Sequence, residues 1–247
     1  MGKKVTAPVT ADVLSKQIKA LHNQLFNAKV HFDIYMGLAQ SWNKRIREIQ
    51  NSPIFWQFTM KAHIEAAVFR LCRAYDTNEK ALHLSGFLEN VARSANVFCV
   101  SEFKSRHRAN PHIDWLAQYP RTLSLKSLQD DLDFCSSNNP LVINLWRWRN
   151  NIIAHFNYEE AMVLKDPMNK RHPLSFEDIK KLIDDGLTIL NRYSELLDAK
   201  TYSNQLASHQ EADYIYVLKS LRFARVGRAW NQRRVMMTIR RKLAAGQ

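Results

Sequence analysis

The residues of this chain with the strongest chemical potential fall in one short segment. It runs Leu145-Trp146-Arg147-Trp148-Arg149-Asn150-Asn151-Ile152-Ile153-Ala154-His155-Phe156-Asn157. On a helical wheel at about 100° per residue, Leu141, Leu145, Trp148, Ile152 and Phe156 form an apolar stripe. Val142, Trp146 and Ile153 widen it. Arg149 falls inside the widened arc, while His155 lies on the opposite edge of the stripe beside Asn144 and Asn151. The two side chains are about 120° apart around the axis. A guanidinium in an apolar arc is costly unless paired, and it does not neutralise itself at physiological pH. Arg149 therefore needs a carboxylate, a set of carbonyls or a bound anion. Glu65 and Asp76, on the preceding long helix, are possible internal partners; a phosphate clamp is the functional alternative, for which the planar fork of Arg is suited. His155 offers the same choice between a structural role and general acid–base work near neutral pH.

Other chemistries find little support. HExxH is absent, and His63, Glu65 and His83 form no known ligand spacing, so no metal site is expected. GxGxxG, the Walker-type GxxxxGK[ST] and the nucleophile elbow GxSxG are all missing, and six glycines leave little material for a phosphate-cradling loop. No cofactor is expected. Cys72, Cys99 and Cys135 are far apart, odd in number and without a CxxC pair, which excludes a disulfide framework and suggests a reducing compartment such as cytoplasm. No run of about 18 apolar residues suggests a transmembrane segment.

The elements that must position the segment are helices. Ile64, Val68, Leu71 and Tyr75 recur every three or four residues, as do Ile179, Leu182, Ile183, Leu187, Leu190 and Leu197. Strand-like alternation is hard to find. The periodicity predicts helices near 10–26, 28–50, 54–76, 84–97, 124–135, 139–157, 175–199 and 211–226, with 98–123 and 158–174 as connections. Ser175, with Asp178 three residues on, is a helix-opening signal. Phe55, Trp56 and Phe58 are expected to pack a helix start, and Ala81–Ser85 with Phe87 and Leu88 to belong to the core. The fold class is all-α.

Charge separates the chain into two parts. The net charge is +13 over 247 residues. Residues 214–247 hold nine Lys and Arg and no acid, leaving +4 for the remainder. The division expected is a helical domain over 1–210 and a basic helical tail over 211–247. Arg222, Arg225, Arg228, Arg233 and Arg234 would meet phosphates, and Trp230 among them would stack on a base. A solvated helix end, an acidic protein or an anionic membrane surface fits the tail as well.

Arg149-Asn150-Asn151-Ile152-Ile153-Ala154-His155 resembles the signature of HEPN-domain ribonucleases: an Arg, then a polar residue, then a His with four to six residues between. Here five intervene. Phe69-Arg70-Leu71-Cys72-Arg73-Ala74-Tyr75-Asp76, with the polar turn and Leu82–Leu88 after it, is similar to the AbiU-like branch linked to abortive infection. The resemblance covers roughly residues 10–200 and leaves out the basic tail. It implies a HEPN-like bundle of long helices and a metal-independent endoribonuclease in phage defence or a toxin–antitoxin system. The RNA 2′-OH would attack the adjacent phosphate, His155 would move a proton, and Arg149 would stabilise charge on the phosphoryl oxygens. Asn150 would orient Arg149 or touch RNA, and Asn151 would fix the His155 ring. The resemblance also implies a homodimer with two motifs lining one cleft, and an antitoxin or defence-system partner. A non-catalytic HEPN-like protein that binds nucleic acid or a protein is the alternative. The chain departs from many toxin members at the second residue after the His, where Asn157 replaces a Tyr and Tyr158 follows.

Overall fold

The computed structural model describes residues 8–149, 173–204, 215–220 and 236–237. The fold is all-α, with no strand among the described residues. The elements are α1 (Ala11–Ser41), α2 (Ile46–Ile49), α3 (Pro53–Ala74), α4 (Leu84–Arg93), α5 (Val100–Arg106), α6 (Ile113–Leu116), α7 (Leu125–Cys135), α8 (Pro140–Trp148) and α9 (Phe176–Asp198). No helix among the described residues is long and apolar enough to cross a membrane.

The chain forms two compact units. One comprises Met1–Phe32 and Ile64–Asn204, the other Asp33–His63 and Gln205–Gln247. The core of the first is built from helical stripes at spacings of three and four: Leu14, Ile18, Leu21 and Leu25 from α1, Leu71 and Tyr75 from the α3 end, and Leu182, Leu187, Leu190 and Leu197 from α9, all essentially buried. In the second, Leu38, Ile49, Trp56 and Leu218 cluster, with Ile34, Trp42 and Met60 against them. Leu218 belongs to the basic C-terminal segment and is fully buried.

Local chemistry explains the helix ends. Ser175 Oγ accepts from Asp178 N–H while the Asp178 carboxylate accepts from Ser175 N–H, a complete capping box opening α9. Ser124 and Asn139 cap α7 and α8 with a single side-chain bond each, accepting from Ser127 N–H and Leu141 N–H, and Pro140 occupies the first turn of α8, where its missing N–H costs nothing. The His83 imidazole, Nδ1 accepting from Gly86 N–H, caps α4.

Three details differ from the sequence expectation. The boundary expected between the first two helices is absent and a later one appears: α1 continues through Asn27, whose side chain is exposed, but ends at Ser41, and a 3-10 turn (Asn43–Arg45) and the short α2 replace the rest of the helix expected over 28–50. A polar residue on the outer face lowers helix propensity by less than about 0.7 kcal/mol, which the buried stripe on the inner face outweighs. Residues 98–123 are not a plain connection but contain α5 and α6. Helices of seven and four residues are too short for periodicity to declare them, and tertiary anchors such as buried Phe103 hold them instead. Of the aromatic trio opening α3, only Trp56 packs inward. Phe55 and Phe58, on other faces of the helix, are 61% and 66% exposed.

Candidate active site at the end of helix α8

Helix α8 runs into the Arg–Asn–His segment, and Arg149 is its C-terminal cap residue, still in right-handed helical geometry. The buried face of α8 is not centred on Leu141 and Trp148, which are half-buried, but on Val142 and Leu145, both fully buried. Arg149 falls on that same face at i+7 and i+4. Its guanidinium is partly sheltered and needs a counter-charge.

Asp76 supplies one. It sits just past the C-terminus of α3, and Arg149 Nη1 donates to its Oδ1 at 3.0 Å. The side chains of Arg149 and Asp76 are 29% and 21% exposed. The same carboxylate oxygen accepts from Thr77 N–H at 2.8 Å and reaches Asn78 N–H at 3.4 Å, so it is fixed by its own turn before Arg149 arrives. Burial pushes the Asp76 carboxyl up, but the Thr77 hydrogen bond and the Arg149 guanidinium outweigh it and hold the group below the usual carboxylate range.

Three further contacts lock α8 to the end of α3. Trp146 Nε1 donates to Tyr75 O at 2.6 Å, which satisfies a carbonyl left open at the helix end. The Cys72 thiol donates to Leu145 O at 3.8 Å, and burial pushes its pKa up to about 12, so it is a packed thiol rather than a nucleophile. Tyr75, fully buried, donates its hydroxyl to Leu182 O on α9 at 2.7 Å. Gly186, one turn along α9, leaves room for that hydroxyl: a Cβ there would come within 3.1 Å of Tyr75 Oη and 2.8 Å of Leu25 Cδ1. On the other side of α8, Asn144 Nδ2 donates to Pro173 O at 2.9 Å, tethering the approach to α9.

Of the residues expected at the site, Arg149 and Asp76 meet. Glu65 is exposed on α3. Asn150, Asn151 and His155 lie outside the described residues, as do Arg222, Arg225, Arg228, Trp230, Arg233 and Arg234 of the tail. No group of three or more His, Cys, Asp or Glu among the described residues is arranged to hold a metal ion. The clamp formed by Trp146, Tyr75 and Gly186 had no sequence signal beyond apolar periodicity. A second buried polar network was also invisible from spacing. Arg192 Nη1 donates to both Asp131 oxygens, and Tyr193 Oη donates to Asp131 Oδ2 at 2.7 Å, joining α7 to α9. Burial, then the hydrogen bond to Asp131, pushes the Tyr193 phenol well above its ordinary range, so it remains a donor.

The fold and site together define an all-α protein in which a late helix, α8, ends on an Arg paired with an Asp just past the end of α3. More particularly, the family model HEPN_AbiU2, described as AbiU2, matches residues 12–217, and the chain belongs to that family. No curated protein and no solved structure matches the chain. Membership makes this a HEPN protein of an abortive-infection, defence-related family.

Proposed function

We propose that the chain is a metal-independent endoribonuclease acting in phage defence or a toxin–antitoxin system, with Arg149 and His155 as its catalytic pair. The observation that carries the reading is the sequence Arg149-Asn150-Asn151-Ile152-Ile153-Ala154-His155 in a HEPN_AbiU2 chain, beginning where α8 is locked onto Asp76 and Tyr75. His155 transfers the proton of the attacking 2′-OH or of the leaving group, and Arg149 meets the charge that develops on the phosphoryl oxygens. Asn150 and Asn151 orient these two groups. Asp76 engages Arg149 Nη1 and so fixes one arm of the guanidinium fork at the start of the motif. The need for a 2′-OH makes RNA the substrate rather than DNA.

The domain over 1–210 carries the reaction, and the segment over 211–247, through Arg222, Arg225, Arg228, Trp230, Arg233 and Arg234, supplies affinity for RNA phosphates. The active species is a homodimer in which two motifs share a cleft, held in check by an antitoxin or another defence component. A monomer at micromolar concentration in light scattering would speak against the shared cleft.

The deciding experiment incubates the purified protein with total RNA and tRNA in EDTA, beside His155→Ala and Arg149→Ala. Cleavage by the wild type alone supports the enzyme. No cleavage, or equal cleavage by the variants, favours the second reading, a non-catalytic HEPN-like protein that binds nucleic acid or a partner; the engagement of Arg149 by Asp76 is the observation that fits it. Deleting residues 226–247 should weaken RNA binding and flatten its dependence on salt. An unchanged slope would remove the phosphate contacts from the tail.

A further inference from the structure

A cleft of about 310 Å³ opens within the first unit, between the α6–α7 connection and α9. That volume is at the lower end of the range for small-molecule and base-sized sites. Tyr119 and Pro120 form one wall, Ser124 and Ser127 the start of α7, and Arg192 and Glu195 the α9 side. None of these residues takes part in the proposed reaction.

The cleft combines three features that a core-packing role does not explain. Its aromatic wall faces solvent: Tyr119 is 48% exposed, and Trp115, whose ring meets it edge-on at 5.4 Å between centroids, is 57% exposed. Leu125, at the start of α7, is 73% exposed. The α9 side presents a donor and an acceptor one turn apart, because Arg192 and Glu195 stand at i and i+3. The Arg192 guanidinium is aimed and charged but not exhausted. Both bonds to buried Asp131 leave from Nη1, and its side chain remains 41% exposed. Arg121 donates to the Glu195 carbonyl and Leu116 O and lies 4.2 Å from the Phe103 ring centroid, so the backbone around the cleft is tied down.

We infer that this cleft receives one unpaired purine base of single-stranded RNA, adenine by its edge chemistry, stacked on Tyr119 and read along its edge by Arg192 and Glu195. Adenine supplies what the cleft asks for. It has a broad π-face for an exposed aromatic and, side by side on one edge, an N7 acceptor for a guanidinium and an exocyclic amino group for a carboxylate; guanine shows two acceptors on that edge. A paired base would not serve, because it stays joined to its partner and its stack and cannot enter a cleft of this size alone. Only the choice of RNA as the source of the base rests on the nuclease reading; the base chemistry stands on the cleft itself.

The test uses the full chain carrying His155→Ala, so that substrate is bound and not consumed. Fluorescein-labelled 12-nucleotide RNAs, one purine-containing and one all-pyrimidine, are titrated by anisotropy at fixed salt, with GMP and AMP as competitors. Tyr119→Leu should weaken the purine RNA about tenfold, within the range found for base–aromatic stacking. Tyr119→Phe should restore binding to within about twofold, since the π-face is kept. Glu195→Gln should narrow the gap between the purine and pyrimidine RNAs. Ultraviolet cross-linking of the purine RNA should mark the peptide holding Trp115 and Tyr119. Unchanged affinity in Tyr119→Leu, or cross-links that avoid this peptide, overturns the assignment. Tight binding of GMP or AMP with no binding of the oligonucleotide overturns RNA as the occupant. Cleavage by the His155-containing chain together with unchanged Tyr119→Leu affinity sinks the base site and leaves the nuclease intact. Absence of cleavage with the purine pattern present does the reverse.

Discussion

Two arginine–aspartate pairs organise the first unit, and they differ in what surrounds the acid. At the α7–α9 pair, Asp131 is 8% exposed and receives Arg192 on both oxygens as well as the Tyr193 hydroxyl. At the α3–α8 pair, Asp76 is 21% exposed and divides one oxygen between Arg149 and the N–H groups of its own turn. The first acid is saturated by side chains from one helix and fastens that helix down. The second is set by its backbone and offers Arg149 a single contact at the mouth of the family motif. A carboxylate buried under three hydrogen bonds from two side chains is a structural fastening, whereas one held by a turn is a mount for something else. The same residue pairing thus marks stability in one place and a candidate reaction centre in the other.

Substitutions can break that contrast. Arg149→Ala should have the largest effect, lowering RNA cleavage by about 10²–10³-fold, the cost of one preorganised charge donor, while the denaturation midpoint moves little. A large fall in stability with unchanged cleavage per folded molecule would make the two pairs alike. Asp131→Ala should do the opposite. It strands the buried Tyr193 hydroxyl and should lower unfolding free energy by about 2–3 kcal/mol, less than a fully buried pair because Arg192 stays solvated. Urea denaturation checks this, and cleavage by the folded fraction should fall far less than in Arg149→Ala.

Gly186→Ala probes the packing behind Asp76. Its Cβ would sit 2.8 Å from Leu25 Cδ1 and 3.1 Å from Tyr75 Oη, and the overpacking should cost about 1–3 kcal/mol in thermal or urea unfolding. Asp76→Asn should be the mildest, at about 1 kcal/mol near pH 6. The sign of its pH dependence follows from the lowered Asp76 pKa. Stability from this group is present above the unfolded carboxyl pKa of about 4 and is lost as pH falls through the lower folded value. Wild type and Asp76→Asn should therefore differ most at pH 6 and converge on acidification. A gap that widens in acid would mean that Asp76 is protonated in the folded protein.

Much of this fold was legible in the sequence. Leu182, Leu187, Leu190 and Leu197 repeat at the helical period, and α9 buries them together. Ser175 and Asp178 carry their capping chemistry in their spacing, and the box forms. The single length of α1 was not legible, because Asn27 weakens the local pattern while burial on the other face keeps the helix whole. Nor were α5 and α6, whose few residues cannot show a period. At the site, the wheel placed Arg149 in an apolar arc, but which face of α8 is most buried depended on what α8 packs against. That turned out to favour Val142 and Leu145 over Leu141 and Trp148.

The amino-acid sequence by itself determined the all-α class, the helix caps, the concentration of positive charge in residues 214–247 and the Arg–Asn–His spacing, since each depends on residues a few positions apart. Only the tertiary structure decided that Asp76 engages Arg149, that Trp146 closes on Tyr75 O, and that Arg192 and Tyr193 converge on Asp131. Those partners are separated by about sixty to seventy residues of chain. No local pattern selects among carboxylates or carbonyls at such distances; packing does, by bringing one of them within hydrogen-bond reach and excluding water from the rest.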